Sequence, residues 1–164
     1  MKTPPTNLRV LKKNQRKPET GDVFVFQLEQ IPDRYFYGRV VATDTKLGGL
    51  QEGGVVLIYL YKVTSPEKTN IPPLNLSELL VPPIGTNTLP WTRGFFEVVK
   101  SGKITSKDVL PQHCFRDFRG WYFDEYGNRL PGPIEPVGEY GIAGIGAIDI
   151  DISKALGLPP KEDG

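Results

Sequence analysis

Two apolar runs a few residues apart, Val23-Phe24-Val25-Phe26-Gln27-Leu28 and Tyr35-Phe36-Tyr37-Gly38-Arg39-Val40-Val41, set the local fold early in the chain. Val, Phe and Tyr fill a half-buried pleated surface well. Pro32-Asp33 between the runs supplies a turn, and Gly38 permits a bulge or a close backbone approach. The pattern predicts a β-hairpin with strands over 23-28 and 35-42. Val55-Val56-Leu57-Ile58-Tyr59-Leu60-Tyr61 is more hydrophobic still, and too short and too β-branched for a helix. Apolar on both faces, it predicts a central strand over 55-63, covered on two sides. Three such strands on short connections, with a glycine-rich flexible loop over 48-54, make an antiparallel meander that can curl into a small, partly open SH3-like barrel.

Beyond the meander the chain is punctuated rather than periodic. Its 18 Gly and 16 Pro among 164 residues favour short elements joined by turns, and helix interiors tolerate neither residue. The expected class is therefore mainly β, or β-rich α+β, with a second antiparallel β region and one to three short helices. Asn75-Leu76-Ser77-Glu78 reads as a capped helical turn stopped by Pro82-Pro83, and Ser106 as the cap of another before Pro111. Pro90-Trp91 and a strand over 95-99 open the second β region. Residues 115-130 read as a hairpin turning near Gly127-Asn128, followed by an extended joint at Pro131, Pro133 and Pro136. Ile148-Asp149-Ile150-Asp151-Ile152 alternates strictly and predicts a strand with one wet face, with a helical turn after Ser153.

Length allows one β-rich domain over 19-164 behind a basic, flexible arm over 1-18. The arm holds Lys2, Arg9, Lys12, Lys13, Arg16 and Lys17 and no acid, whereas the whole chain carries a formal charge of only +1. No global field therefore demands nucleic acid or an anionic membrane. A single cysteine fits a reducing compartment. With no apolar run behind Lys2 and no long apolar window, neither a secretion signal nor a membrane span is expected, and the expected location is cytoplasmic.

The residues offer little catalytic chemistry. His113 is the sole histidine, and on an extended strand its side chain and that of Cys114 point to opposite faces, so a buried structural Cys beside a partly exposed His is expected rather than a dyad. One His and one Cys fall short of a zinc site. Asp149 and Asp151, two apart on the expected strand, would stand roughly 7 Å apart on one face, as a solvated pair, a contact for a basic partner, or a seat for a hard cation or paired acid/base chemistry. Gly138, Gly141, Gly144 and Gly146 have the reverse of a dinucleotide-loop spacing and open no convincing helix. No enzyme activity and no cofactor are expected. Tyr, Trp and Phe interleaved with Arg34, Arg39, Arg93, Arg116 and Arg119 suit core packing, a protein partner or stacked bases.

The order of these pieces resembles the immunity protein 26 family of bacterial polymorphic toxin systems over about residues 18 to 135. The resemblance rests on Lys17-Pro18 leading into Gly21-Asp22, on Tyr37-Gly38-Arg39-Val40, on Arg93-Gly94-Phe95-Phe96-Glu97-Val98-Val99, and on the aromatic stretch Phe115 to Asn128 with its acidic-Gly turn. Long loops around 43-54 and 64-74, and a Phe-Phe pair where the family has Trp, depart from the pattern. The resemblance implies a cytoplasmic protein that binds and blocks the C-terminal effector domain of a cognate toxin, often a nuclease. It brings no catalytic residues. Candidate partner-binding residues are Arg34, Tyr35, Trp91 and Arg93 among the arginine and aromatic set. Asp124, Glu125, Asp149 and Asp151 join them as contacts for a basic effector. The competing reading is a nucleic-acid-binding barrel that uses the basic arm and the Arg/aromatic sheet.

Overall fold

The computed structural model describes residues 6–49 and 54–159. A five-stranded antiparallel sheet is built from β1 (Val23–Leu28), β2 (Ile31–Thr45), β3 (Val55–Ser65), β4 (Ile84–Thr86) and β5 (Glu97–Lys100), in the order β4-β3-β2-β1-β5. A smaller sheet holds β6 (Cys114–Arg116), β7 (Tyr122–Phe123), β8 (Arg129–Leu130) and β9 (Val137–Glu139), in the order β8-β7-β6-β9, with β9 parallel to β6. A single-turn helix, α1 (Leu89–Thr92), precedes β5, and α2 (Ile145–Ala155) follows β9. The fold is mainly β. The expected meander is present as β1-β2-β3, and the large sheet is open, because β4 and β5 are its edges.

Alternation along β3 organises the core. Val56, Ile58 and Leu60 face one side of the large sheet, where Phe24, Phe26, Phe36, Trp91 and Phe96 pack with Ile145, Ile148 and Ile152 of α2. Leu57, Tyr59 and Tyr61 face the other side and pack with Phe115 of the small sheet. A strand apolar on both faces is thus covered on both, as its sequence predicts.

Local details differ from expectation for identifiable reasons. The hairpin turns at Glu29-Gln30, because Leu28 pairs with Ile31, and Pro32-Asp33 falls instead in a register shift inside β2. That irregularity absorbs a residue with no N–H to give the ladder. The strand after Phe95-Phe96 does not open a second β region. It pairs with β1 as an edge of the first sheet. The stretch 115–130 holds two tight connections rather than one, since β6 pairs with β7 and β7 with β8. Residues Leu76–Glu78 and Ser106–Asp108 are single 3-10 turns, the second capped by Thr105 in a reciprocal box with Asp108. Of the glycine-rich loop expected over 48-54, residues 50–53 lie outside the described residues.

The largest correction concerns 145–155, which form a helix and not an alternating strand. Ile145, Ile148 and Ile152 stand at helical spacing and are buried, while Ile150 is exposed. A strand would have placed Ile148, Ile150 and Ile152 on one face. Gly157, at φ 69°, closes the helix: its N–H donates to Lys154 and the Leu158 N–H to Ser153, the paired bonds of a Schellman cap. The glycine segment before it therefore does open a helix, with Gly144 at the N-cap.

Residues 6–18, assigned from sequence to a flexible arm, lie against the body, while 1–5 lie outside the described residues. Leu8 is buried and bridges Leu28, and Arg9 N–H donates to the Gln27 carbonyl. Leu11 and Lys12 N–H both donate to Gly94. At the end of this strap the Arg16 guanidinium makes a two-point pair with Asp22, at 2.9 and 3.0 Å.

Candidate interaction surface

The titratable cluster closest to catalytic composition is buried at Tyr59 and His113, with Glu125 half-buried at its edge. The Leu110 N–H donates to Tyr59 Oη (3.0 Å), the Tyr59 hydroxyl meets His113 Nε2 (2.5 Å), and His113 Nδ1 meets the Glu125 carboxylate. Both ring nitrogens of His113 are thus engaged, Nε2 by the Tyr59 hydroxyl and Nδ1 by Glu125. Burial is the main cause that pushes the Tyr59 hydroxyl up to about 12. Burial also pushes the Glu125 carboxyl up, but the His113 hydrogen bond, followed by a backbone hydrogen bond at Glu125, outweighs it and holds the group below its ordinary value. The expectation of a partly exposed histidine fails: His113 is 4% exposed. Cys114 points elsewhere, with Sγ accepting from the Ile134 N–H at 3.4 Å. The circuit joins β3, the segment before β6 and the β7–β8 turn, so its chemistry is that of a pin between the sheets.

The residues singled out from sequence fall into separate local networks. Trp91 is wholly buried, edge-on to Phe24 and Phe96 at 5.3 and 5.1 Å. Asp149 is also buried, and its Oδ1 accepts from the Asn7 and Leu8 N–H groups at 2.8 and 3.1 Å. Its expected place on a wet strand face is overturned by the helix. Arg34 donates to the Thr64 hydroxyl and carbonyl, while the Lys68 ammonium stands over the neighbouring Tyr35 ring and pairs with Glu97. Arg93 is half-buried at the end of α1. Asp124 caps its own turn, accepting from the Tyr126 and Asn128 N–H groups at 2.9 Å each. Asp151 lines a cavity of about 310 Å³ between β4, β9 and α2, with Glu139 and Lys154. Burial first, and then the Glu139 charge, push its carboxyl up. Among the described residues no three metal-ligating side chains converge.

One arrangement escaped the residue-by-residue reading. The loop between β6 and β7 projects from the small sheet, and Asp117 locks it from within. Asp117 Oδ1 accepts from the Arg119 and Trp121 N–H groups at 3.0 and 2.9 Å, Oδ2 accepts from Arg119 Nε at 2.8 Å, and the Asp117 N–H donates to the Trp121 carbonyl. At its tip Phe118 is 95% exposed. The Arg119 and Arg129 guanidinium carbons lie 3.6 and 3.8 Å from the Trp121 ring centre. At that range two such groups fit only on opposite faces of the indole, so the ring is sandwiched. Asp117 followed by Gly120 is a turn signal that marks this loop in the sequence. The stack itself depends on Arg129 arriving from another strand.

The comparisons add one match. The family described as Immunity protein 26 fits residues 19–120, which run from the turn before β1 to the end of the locked loop. No curated protein and no solved structure matches the chain. Because the matched stretch takes in the whole large sheet and more than half of the sequence, the chain belongs to the immunity protein 26 family.

Proposed function

We propose that this chain is the immunity component of a bacterial toxin system, and that it binds the C-terminal effector domain of a cognate toxin in the cytoplasm and blocks it without chemistry of its own. The family match over residues 19–120 carries this reading. Two features of the molecule support it. The one His-containing cluster has both ring nitrogens occupied, and the small sheet presents aromatic and arginine side chains of the kind that anchor protein partners. The nucleic-acid reading loses its main device, since residues 6–18 are held on the body rather than free to track a backbone.

Co-expression in a bacterial host tests the proposal. Growth arrested by the effector domain encoded beside this chain should be restored, and the two proteins should co-purify in a fixed ratio. Nuclease assays on that effector should show its activity lost in the complex if nucleic acid is its substrate. An effector that stays toxic and fails to co-purify overturns the reading.

A further inference from the structure

Resting on that reading, we propose that the locked β6–β7 loop is the anchor of the interface: Phe118 inserts into an apolar pocket on the effector domain, and Arg119 and Arg129 meet carboxylates on the pocket's rim.

A phenyl ring 95% exposed buries almost none of its surface in the fold, its ring contact being the Arg119 guanidinium at 5.5 Å, and the loop that carries it is held by Asp117 through side-chain and backbone bonds at both ends. The ring is therefore presented on a preorganised support, which spares the ordering cost that a mobile loop pays on binding. Around it Arg116, Arg119 and Arg129 are all exposed, whereas the Asp117 carboxylate is turned inward, with its side chain 6% exposed. On the Trp121 side the tip thus shows the Arg119 and Arg129 guanidinium groups beside an apolar projection, Arg119 being paired with Asp117, while on the other side Glu135 and Glu139 line a groove with Arg116 and Phe118. Complementarity asks for an acidic rim and an apolar floor.

Other occupants fit less well. A nucleic-acid strand binds aromatic side chains by stacking bases on their open faces, and both faces of Trp121 are covered by guanidinium groups. Two copies docked symmetrically through this loop would set arginine against arginine.

The test uses the intact chain and the C-terminal domain of the toxin encoded beside it, made catalytically inert, with affinity read by calorimetry. Phe118→Ala should weaken binding at least tenfold, the scale of a buried aromatic anchor. Its melting temperature should not change, because the ring packs on so little. Arg129→Glu should slow association and lessen the dependence of affinity on salt. If the wild-type chain binds the effector and Phe118→Ala binds within twofold of it, the anchor is overturned and the family reading stands. If the wild-type chain does not bind, both fall. Two further outcomes overturn the anchor alone: a labelled single-stranded oligonucleotide whose binding is lost in Phe118→Ala, or a self-associated form in sedimentation that Phe118→Ala dissolves.

Discussion

Gly38 lies under the ring of Phe24, its partner across the antiparallel β1–β2 pair, and a Cβ built there would stand 2.3 Å from Phe24 Cζ. No rotamer of an L side chain relieves that overlap, so Gly38→Ala must move the ring out of its 4.4 Å stack with Phe96. Overpacking of this kind costs about 1–3 kcal/mol, and a denaturant melt should show it as a lowered midpoint with an unchanged slope. Gly146, inside α2, is the matched control. Nothing lies within 4 Å of a Cβ there, so Gly146→Ala should stabilise the chain by roughly 0.5–1 kcal/mol. The Tyr37-Gly38-Arg39 sequence thus has a packing meaning at each position. The Tyr37 hydroxyl donates to the Glu67 carbonyl at 2.8 Å, Gly38 makes room for Phe24, and Arg39 reaches the Tyr61 hydroxyl and Asp108.

Among the elements, α2 and the N-terminal strap depend on each other. The helix gives the sheet Ile145, Ile148 and Ile152, and on the same face Asp149 and Ser153 hold Asn7 through its backbone N–H and its side-chain amide. Asp149→Ala would leave two buried N–H groups without that acceptor, and bonds from buried donors to a carboxylate are worth enough that the loss should reach about 2–4 kcal/mol. Asp149→Asn keeps an acceptor oxygen and should lose distinctly less. Hydrogen exchange provides the second readout: in Asp149→Ala the Asn7, Leu8 and Arg9 amides should lose protection before β3 does. Equal loss throughout the chain would contradict a local latch.

At the scale of the whole molecule, the Tyr59–His113–Glu125 circuit ties the small sheet to the large one, helped by the Lys46 N–H donating to the Glu125 carbonyl. A carboxyl whose folded pKa lies below its unfolded one adds stability that is complete above the unfolded value and vanishes as pH falls through the folded value. Glu125 is such a group, lowered from 4.5 when the His113 bond outweighs burial. Asp108, held down chiefly by the Thr105 N–H, and Asp124, where bonds from Asn128 and the turn amides outweigh burial, are lowered from 3.8. Asp151, raised by burial and Glu139, acts in the opposite sense. The Glu125 contribution is therefore intact at neutral pH and decays below about pH 4.5, so melting temperature should fall on the acid side. Glu125→Gln should flatten that fall, and Glu125→Ala should cost about 1–3 kcal/mol at neutral pH by stranding a buried imidazole N–H. A Glu125→Gln acid profile that overlays the wild type would refute the assignment.

Sequence alone determined the β1-β2-β3 meander and the interior, doubly covered place of β3, because short unbroken runs of β-branched and aromatic residues are written into these strands and a run apolar on both faces has to be covered on both. The family pattern was legible as an ordered set of local signals from Gly21-Asp22 to Phe115, and the family match ends at residue 120, short of the residue 135 expected from the resemblance. The Ile-Asp stretch was not legible as a strand or a helix from its alternation, since Ile145, Ile148 and Ile152 fit helical spacing as well as 148, 150 and 152 fit a strand. What decided it was a non-local surface: the apolar face of the large sheet, and two strap amides that needed the Asp149 carboxylate. The edge position of β5, the docking of residues 6–18 and the sandwiching of Trp121 by Arg129 share that origin. The first two pair segments far apart in the chain and the third needs the β7–β8 hairpin formed, so each exists only once the sheets have brought the partners together.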